Sequence, residues 1–344
     1  MLIWAFVPYI VDGSRLDGFD FDTLQSKREL AEAFRTLNLP WIWQPVVQTN
    51  VDQCIQQAAG AESIVLNLCD GIEDCGTPGP CVVRALEHSG IRFTGADSQF
   101  YAVSTSKLAT KKMLMAAGVA TPPFESLRES VDGVCARVGV PLLVKPDVSA
   151  GSGGVFLRSK VSRDAEVAAL RLEMLNAPMP RFCDGRHLFA ERFIDGPEFT
   201  VFVLGNGRDP RSVRCLPPAE RLFNASIPEG EKFLTYERYW GFYSEETPPP
   251  DGLPFYGYGA CDPHLALRLE EISRAAYVAV CGRGYARVDL RMERATGELF
   301  VLEVNANCAI SEDDQSSTGC ILKLAGMTLA DLLREILQDA GAAL

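Results

Sequence analysis

The strongest constraint on the fold is a pair of alternating segments near the end of the chain. Residues 286–291 and 300–305 alternate apolar and polar side chains, as half-buried strands do. Residues 294–297, Arg-Ala-Thr-Gly, lie between them and are typical of a turn. The sequence therefore predicts an antiparallel hairpin centred near Thr296.

This hairpin places Asp289 opposite Glu303 and Arg287 opposite Asn305, with all four side chains on one face because successive strand residues alternate. Opposed carboxylates lie about 5 Å apart at Cβ and repel each other, a cost that a divalent cation removes. Oxygen ligands without His or Cys suit Mg²⁺, which also coordinates phosphates. The face therefore predicts a magnesium and phosphate site beside an arginine, and a solvated strand surface is the alternative. The opposite face is predicted to be buried through Val288, Leu290, Leu302 and Val304.

The composition limits the class of protein. A length of 344 residues suffices for two or three domains. The net charge of -12 argues against nucleic acid or an anionic membrane surface as the main partner. We find no signal-peptide pattern at the start and no apolar run near the roughly 20 residues that span a bilayer. The 11 cysteines are scattered without a CxxC pair, so we expect reduced thiols in a cytoplasmic protein.

The first part of the chain, residues 1–103, predicts a doubly wound α/β domain. A buried strand in it ends at a Gly-rich polar loop, residues 69–76, and such strand ends are where open α/β sheets bind ligands. The predicted elements are a strand at 2–7, a helix at 23–37, a strand at 63–68 and a helix at 80–88.

Two further domains are predicted, a central one at residues 104–204 and a C-terminal one at residues 205–344. Both mix strands and helices, so the fold class is α/β with α+β character in the C-terminal half. Residues 228–258 are long, polar and aromatic without clear periodicity, which is typical of a functional lid or a disordered insert. The predicted helices lie at 106–117 (capped by Ser104 or Thr105), 131–138, 163–175, 263–281 and 328–339, and the central strands at 142–145, 155–157, 188–194 and 199–204.

A phosphate loop is predicted after Lys145. Residues 146–155 contain glycines and serines whose backbone N–H groups can approach a phosphate closely, and Lys145 adds a positive charge. The segment is not a Walker A loop, because no Lys-Ser/Thr follows the glycines. It is not a Rossmann fingerprint either, because it connects two predicted strands. A flexible hairpin loop is the alternative.

An adenine-binding segment is predicted at residues 191–194, Glu-Arg-Phe-Ile, which follow four apolar residues. A short extended segment of this type can pair its backbone with the edge of adenine, and Glu198 could then hold the ribose hydroxyls. An ordinary hairpin with a solvated turn is the alternative.

In combination and in their order, these elements resemble the ATP-grasp superfamily and, within it, the D-alanine–D-alanine ligases. The resemblance covers roughly residues 63 to 340 and includes similar segments at 94–95, 118–123 and 324–332. The matching elements are the helix with Lys107, the loop after Lys145, the segment from Glu191 to Glu198, the strand with Arg287 and Asp289, and the strand with Glu303 and Asn305.

The resemblance implies a fold in which two α+β domains clamp ATP, and an ATP-driven synthesis of an amide. A carboxylate attacks the γ-phosphate, and an amine then displaces phosphate from the acyl phosphate. The lid at residues 228–258 would keep water from this intermediate. The implied roles are phosphate binding by Lys107 and Lys145, a further contact with the cofactor by Arg238, adenine binding by Glu191, Arg192, Phe193 and Ile194, ribose binding by Glu198, binding of Mg²⁺ or alternatively Mn²⁺ by Asp289, Glu303 and Asn305, and catalysis by Arg287 and Ser152.

Both substrate pockets depart from the pattern of the ligases. The N-terminal Gly-Gly-Ser-x-Glu segment that grips the first alanine's amine is not visible, which leaves Asp12 and Glu73 as candidates. The Pro-Gly-Met run after Asn305 is also replaced, so Ser316 or Ser317 is the candidate for holding the acceptor carboxylate. We therefore expect a biosynthetic ligase that joins an amino acid to another small molecule.

Four alternatives remain open at this point. The chain could be a true peptidoglycan D-alanine–D-alanine ligase, an ATP-grasp kinase of a small molecule, or a nucleotide-binding module without catalysis. A glycosidase with Asp289 and Glu303 as its two carboxylates would leave Lys145 and Arg287 without a role. The resemblance also implies a homodimer formed through the N-terminal domain.

Overall fold

The computed structural model describes residues 1–12, 15–17, 24–60, 62–176, 183–241, 243–244, 246–250 and 252–344. For residues 12, 15–17 and 184 the description covers the backbone only. No helix in these ranges combines the length and the apolar character that crossing a membrane requires.

The N-terminal part is a three-stranded parallel sheet with helices on both faces, as predicted. The helix at residues 24–36 packs on the face that carries Ile3, and the helices at residues 51–58 and 80–89 pack on the face that carries Phe6. A small antiparallel hairpin follows the first strand. The elements are β1 (Leu2–Pro8), β2 (Ile10–Asp12), β3 (Arg15–Asp17), α1 (Leu24–Thr36), β4 (Trp41–Val46), α2 (Val51–Ala58), β5 (Ser63–Asn67) and α3 (Pro80–Ser89).

Strand β4 and helix α2 were missed by the sequence prediction. β4 is an edge strand that contains Pro45, and its side chains are half-buried rather than alternating between the core and solvent. Proline within a strand pattern argues against a central strand, so the local signal of an edge strand of this kind is weak.

Two consecutive helices, α4 (Ser98–Thr105) and α5 (Lys107–Ala116), connect the N-terminal part to the rest of the molecule. The N-cap of α5 is Ser106, whose hydroxyl accepts a hydrogen bond from the N–H of Ala109 at 3.1 Å. The prediction of Ser104 or Thr105 as the cap was wrong, because both are helical in α4 and donate their hydroxyls to the carbonyl of Tyr101.

The central part is a four-stranded antiparallel sheet in the order β6-β9-β7-β8 with two helices on one face. The predicted strand at residues 155–157 is not formed. Phe156 and Ser159 instead close a tight turn, in which the Phe156 N–H donates to the Ser159 hydroxyl at 3.0 Å. The elements are β6 (Phe124–Ser126), α6 (Val134–Val138), β7 (Leu142–Ser149), β8 (Lys160–Val161), α7 (Asp164–Asn176) and β9 (Cys183–Arg192).

The C-terminal part is a six-stranded sheet with β13-β12-β10-β14-β15 in order and β11 beside β10. Helix α9 covers one face of it, while α10 and α11 cover one end of the other face. The elements are β10 (Glu198–Asn206), β11 (Arg214–Cys215), β12 (Ala219–Phe223), α8 (Tyr236–Trp240), β13 (Tyr256–Ala260), α9 (Pro263–Ala279), β14 (Arg283–Met292), β15 (Leu299–Ala306), α10 (Ser317–Ala325) and α11 (Leu329–Asp339).

The sheet topology bears on the predicted domain limits. The strand at residues 199–204, which we assigned to the central domain, is part of β10 and pairs with β14 along its whole length. This pairing favours a border between β9 and β10 rather than after residue 204. The division into three domains otherwise stays a prediction.

Candidate active site

The β14–β15 hairpin has the predicted register. Asp289 lies opposite Glu303, and Arg287 lies opposite Asn305. One expectation for the opposite face was wrong: Leu302 is only half-buried, and Val301 takes its place in the core. A bulge just beyond the Asp289–Glu303 pair inserts Leu302 as an extra residue and shifts the alternation of β15.

The four polar side chains of this face contact one another. Two nitrogens of Arg287, Nε and Nη2, donate to the two oxygens of Asp289, each at 2.8 Å. The amide of Asn305 donates to Asp289 at 2.9 Å and to Glu303 at 3.1 Å. The amide N–H group therefore lies between the two carboxylates. The carboxylate oxygens that accept it are the ones that would bind a cation.

Positive charges surround Glu303. The ammonium of Lys107 lies 3.7 Å from its carboxylate and donates to the carbonyl of Ser149 at 2.7 Å. Burial opposes ionisation of Glu303, but the charges of Lys107, Lys145 and Arg287 outweigh it and lower the pKa of Glu303 to about 2. The carboxylate is therefore ionised at neutral pH and suited to a cation.

The donor set of the face fits Mg²⁺. This ion is commonly bound by one or two carboxylates, and water and substrate phosphates complete its six positions. Asp289 and Glu303 supply the carboxylates, and a half-turn of the Asn305 amide would present its oxygen as a third ligand. Among the described residues no group of three His, Cys, Asp or Glu offers a richer site.

The predicted phosphate loop is a tight turn after β7. Gly151 and Ser152 have φ angles of +55° and +57°, a conformation that glycine adopts freely and serine rarely. Asp147 fixes the start of the turn to α5, because its carboxylate accepts the N–H of Leu108 at 2.8 Å and the hydroxyl of Ser106 at 2.9 Å. In the described part of the chain no hydrogen bond joins Ser152 to Arg287, so the catalytic role of Ser152 stays a prediction.

Part of the predicted lid lies on this loop. The indole N–H of Trp240 in α8 donates to the carbonyl of Gly151 at 3.1 Å. The N–H of Tyr236 donates to the carbonyl of Val155 at 2.7 Å, and Glu246 accepts the N–H of Leu157 at 3.1 Å. Tyr236 and Trp240 of the lid are therefore packed against the phosphate loop.

Arg238 lies in a separate cluster. It is buried, forms ion pairs with Glu231 at 2.7 Å and Glu246 at 3.0 Å, and stacks on the ring of Phe255 at 4.5 Å. Within the described residues no ion pair or hydrogen bond joins it to Lys107, Lys145 or the β14–β15 face. The structure thus does not bring Arg238, predicted to contact the cofactor, together with the predicted phosphate ligands.

The segment predicted to bind adenine begins at the last two residues of β9 and continues beyond its end. The side chain of Phe193 lies in a small apolar cluster with Leu143, Val155 and Phe233, between the phosphate loop and the lid. The backbone N–H of Ile194 has no hydrogen-bond partner among the described residues, which suits the edge of a purine. The guanidinium of Arg192 instead binds Glu293 at 2.8 Å, and its backbone N–H donates to the carbonyl of Pro123 at 2.9 Å, so neither donor is available to adenine.

Glu191 and Glu198 are both buried and paired with cations. Glu191 forms ion pairs with Lys145 and, at 2.7 Å, with Lys111. Glu198 contacts Arg221 and, at 3.1 Å, Arg291. A carboxylate has about four lone-pair sites, so Glu198 can still accept ribose hydroxyls.

The candidate substrate residues are placed differently. Ser316 is the N-cap of α10, where its hydroxyl accepts the N–H of Gly319 at 2.9 Å, and Ser317 is buried in the first turn. Glu73 is exposed and paired with Arg84 at 2.9 Å, and its described contacts include no other predicted site residue. The side chain of Asp12 lies outside the described residues.

Sequence reasoning missed several charged residues beside the site, including Lys111, Asp147, Arg221 and Arg291. Lys111 stands four positions after Lys107 and thus on the same face of α5, a spacing that could have revealed it. Arg291 continues the alternation of Arg287 and Asp289. The sequence holds no signal that identifies Arg221 as a partner of Glu198, because only the pairing of β10 with β12 brings the two residues together.

Comparison with known proteins supports the same reading. Residues 113–338 match the family model described as D-ala D-ala ligase C-terminus. A D-alanine–D-alanine ligase of Desulforudis audaxviator is 30% identical over 259 residues, 74% of each chain. One of Methylibium petroleiphilum is 31% identical over 271 residues, 75% of this chain and 74% of the relative.

Solved structures share the fold. A Bacillus anthracis D-alanine–D-alanine ligase complexed with ATP superposes with a TM-score of 0.68 at 20% identity, covering 99% of this chain and 97% of that one. The VanG D-Ala:D-Ser ligase of Enterococcus faecalis gives 0.70 at 16% identity, covering 98% and 99%. Both are ATP-grasp folds, as the sequence predicted. Since the family model spans most of the chain and the relatives match about three quarters of it, the chain belongs to the D-alanine–D-alanine ligase family.

Proposed function

We propose that this protein activates a small carboxylate as an acyl phosphate and joins it to the amine of an amino acid, in the synthesis of a small metabolite or dipeptide. The reaction class is that of its family, an ATP-dependent carbon–nitrogen ligase that uses Mg²⁺ and forms ADP and phosphate. One observation carries the proposal: Arg287, Asp289, Glu303 and Asn305 share one face, with Lys107 at its edge.

Phosphoryl transfer requires positioning and charge neutralisation more than covalent help from the protein. Lys107 and Lys145 are assigned to the phosphates, since Lys107 lies 3.7 Å from Glu303, Lys145 immediately precedes the phosphate loop, and both side chains are largely shielded from water. Asp289, Glu303 and Asn305 would hold Mg²⁺, which neutralises charge on the transferred group when bound. Ser152 and the backbone of the phosphate loop are also assigned to binding the transferred phosphoryl group.

Arg287 is assigned to the acyl phosphate and to the tetrahedral intermediate. Its Nε and Nη2 are fixed by Asp289, which sets the plane of the guanidinium. Nη1 has no hydrogen bond within the described residues and can donate to a developing oxyanion. Preorganised donors of this kind stabilise the charge that develops in the transition state.

The substrates are proposed to differ from two molecules of D-alanine. The segments that would select them, near residues 11–15, 69–76 and 311–318, are those that depart most from the ligase pattern. Ser316, at the N-terminus of α10, is assigned to the acceptor carboxylate, since helix N-termini favour anions. The relatives are named D-alanine–D-alanine ligases, so synthesis of that dipeptide is the second candidate.

A pairwise screen of carboxylates and amines tests the proposal. We expect ADP release only when both are present with Mg·ATP, together with a product whose mass equals their sum less water. A stable phosphorylated product formed without an amine would indicate a kinase. Tight ATP binding without turnover across the panel would indicate a binding module.

Two further expectations belong to this proposal. The protein is expected to act in the cytoplasm, where ATP and reduced thiols are abundant, and as a homodimer. Light scattering of the purified protein tests the dimer, and fractionation of the producing cells tests the location.

A further inference from the structure

Glu191 has two lysine partners that come from different elements. Lys145 of β7 contacts Oε1, and Lys111 of α5 lies 2.7 Å from Oε2. The carboxylate and the Lys111 ammonium are almost completely buried, whereas Lys145 keeps some exposure. Two ammonium groups around one carboxylate exceed what neutralisation of a buried charge requires.

The two lysines differ in how freely each can break its ion pair with Glu191. Lys145 lies in β7 immediately before the phosphate loop, where the phosphates are assigned, and its side chain is 12% exposed. Lys111 is 0% exposed and donates to the hydroxyl of Thr121 at 2.8 Å. Lys111 is therefore the permanent partner of Glu191, and Lys145 is the partner with a second task.

The Lys111 contact continues into the strand that carries Glu303. The hydroxyl of Thr121 donates to the carbonyl of Val301 in β15 at 2.8 Å, and the N–H of Val301 donates to the carbonyl of Ala120 at 2.9 Å. The hydroxyl of Thr121 therefore accepts from Lys111 and donates to Val301. Glu191 is thereby held at a fixed place relative to β15 through Lys111 and Thr121.

We propose that Lys111 is a positioning residue that keeps Glu191 ionised and oriented when Lys145 turns from Glu191 to the nucleotide phosphates, so that Oε1 accepts the 6-amino group of adenine. This inference rests on the proposed nucleotide site. It assigns selectivity for adenine to a lysine that touches neither the base nor the phosphates. A buried carboxylate without a partner would take up a proton and lose its strength as an acceptor.

Binding of two nucleotides tests the inference without requiring turnover. Titration calorimetry with Mg²⁺ compares the β,γ-imido analogue of ATP with that of purine riboside triphosphate, which lacks the 6-amino group. We expect the unaltered protein to prefer the ATP analogue by roughly 10-fold, the strength of a hydrogen bond to a charged acceptor. Lys111→Met should abolish this preference by weakening only the ATP analogue, and Lys111→Arg should retain part of it.

Lys112→Met is the matched control, because Lys112 is exposed on the same helix and its loss removes the same charge. If Lys111→Met does not fold, Thr121→Val keeps both charges while removing the tether, and it should reduce the preference less. A folded Lys111→Met or Thr121→Val protein that keeps the full preference for the ATP analogue would overturn the inference. The inference would also fail if the unaltered protein showed no preference for the ATP analogue. If the preference depends on Lys111 but no amide forms in the substrate screen, the proposed function fails while this inference stands.

Discussion

Two clusters of charged residues lie within reach of the phosphate loop, and they differ in how their hydrogen-bonding capacity is used. On the β14–β15 face, Lys107 and the Nη1 of Arg287 keep capacity for a ligand. In the lid, Arg238 is enclosed by Glu231 and Glu246 and stacked on a ring. The comparison teaches that a motif match locates a residue in the sequence, while its partners in the fold decide what it is free to bind.

The largest expected effect is on the β14–β15 face. Arg287→Ala should lower kcat by about 10²- to 10³-fold, because it removes a preorganised donor to the developing oxyanion, while the affinity for ATP stays nearly unchanged. Steady-state kinetics and calorimetry measure the two quantities. Arg294→Ala, at an exposed arginine in the hairpin turn, is the control and should retain full activity. Full turnover by Arg287→Ala would remove the β14–β15 face from the mechanism.

A substitution in the lid cluster should change the stability of the protein rather than its turnover. Arg238→Met leaves the buried Glu246 without its cation, which should lower the free energy of unfolding by about 3 kcal/mol. Urea denaturation measures this, with Arg211→Met at an exposed arginine as the control. A large rise in the KM for ATP without a loss of stability would instead support the assignment of Arg238 to cofactor binding.

Contact between the lid and the phosphate loop should have a smaller effect. Trp240→Phe removes the hydrogen bond to the Gly151 carbonyl but keeps an aromatic ring, so the loop should be less well shielded. We expect ADP release without an amine to rise by about 3- to 10-fold, since one hydrogen bond contributes about 1 kcal/mol. Unchanged uncoupled hydrolysis would show that this contact does not exclude water.

The smallest effects are expected at the cap of α11. This cap belongs to neither cluster and serves as a reference for a purely structural substitution. The hydroxyl of Thr328 accepts the N–H of Asp331, and Asp331 in return accepts the N–H of Thr328 at 3.0 Å. Thr328→Ala should lower the free energy of unfolding by about 1 kcal/mol, measured in urea. A change in KM for either substrate would contradict a purely structural role.

Asp331 adds a pH dependence with a definite sign. Hydrogen bonds from Thr328, together with Arg334, lower the pKa of Asp331 to about 2. Its stabilising contribution is therefore complete above its ordinary pKa of about 3.9 and is lost as the pH falls toward 2. Asp331→Asn should be less stable than the unaltered protein at pH 6 and equally stable near pH 2.

Much of the site could be predicted from local patterns. Strand alternation and a turn predicted the register of β14 and β15, and the structure has that register. The family resemblance predicted the ATP-grasp fold, ATP and Mg²⁺ as cofactors, and the ligase class. The comparisons confirm all three predictions. The bulge at Leu302 was not foreseen, because one inserted residue changes burial without changing composition. The strand at residues 155–157 failed for a similar reason, since a single serine hydroxyl closed the turn there.

The sequence by itself determined the opposed carboxylates of the hairpin, because strand alternation and turn chemistry act over a few residues. Only the tertiary structure decided the partners of those groups. Glu191 is held by a lysine from a helix in one part of the molecule and by a lysine from a strand in another, and Glu198 by arginines from two neighbouring strands. Charges interact through space, so which of them are compensated depends on packing between distant segments, and no local pattern records that packing.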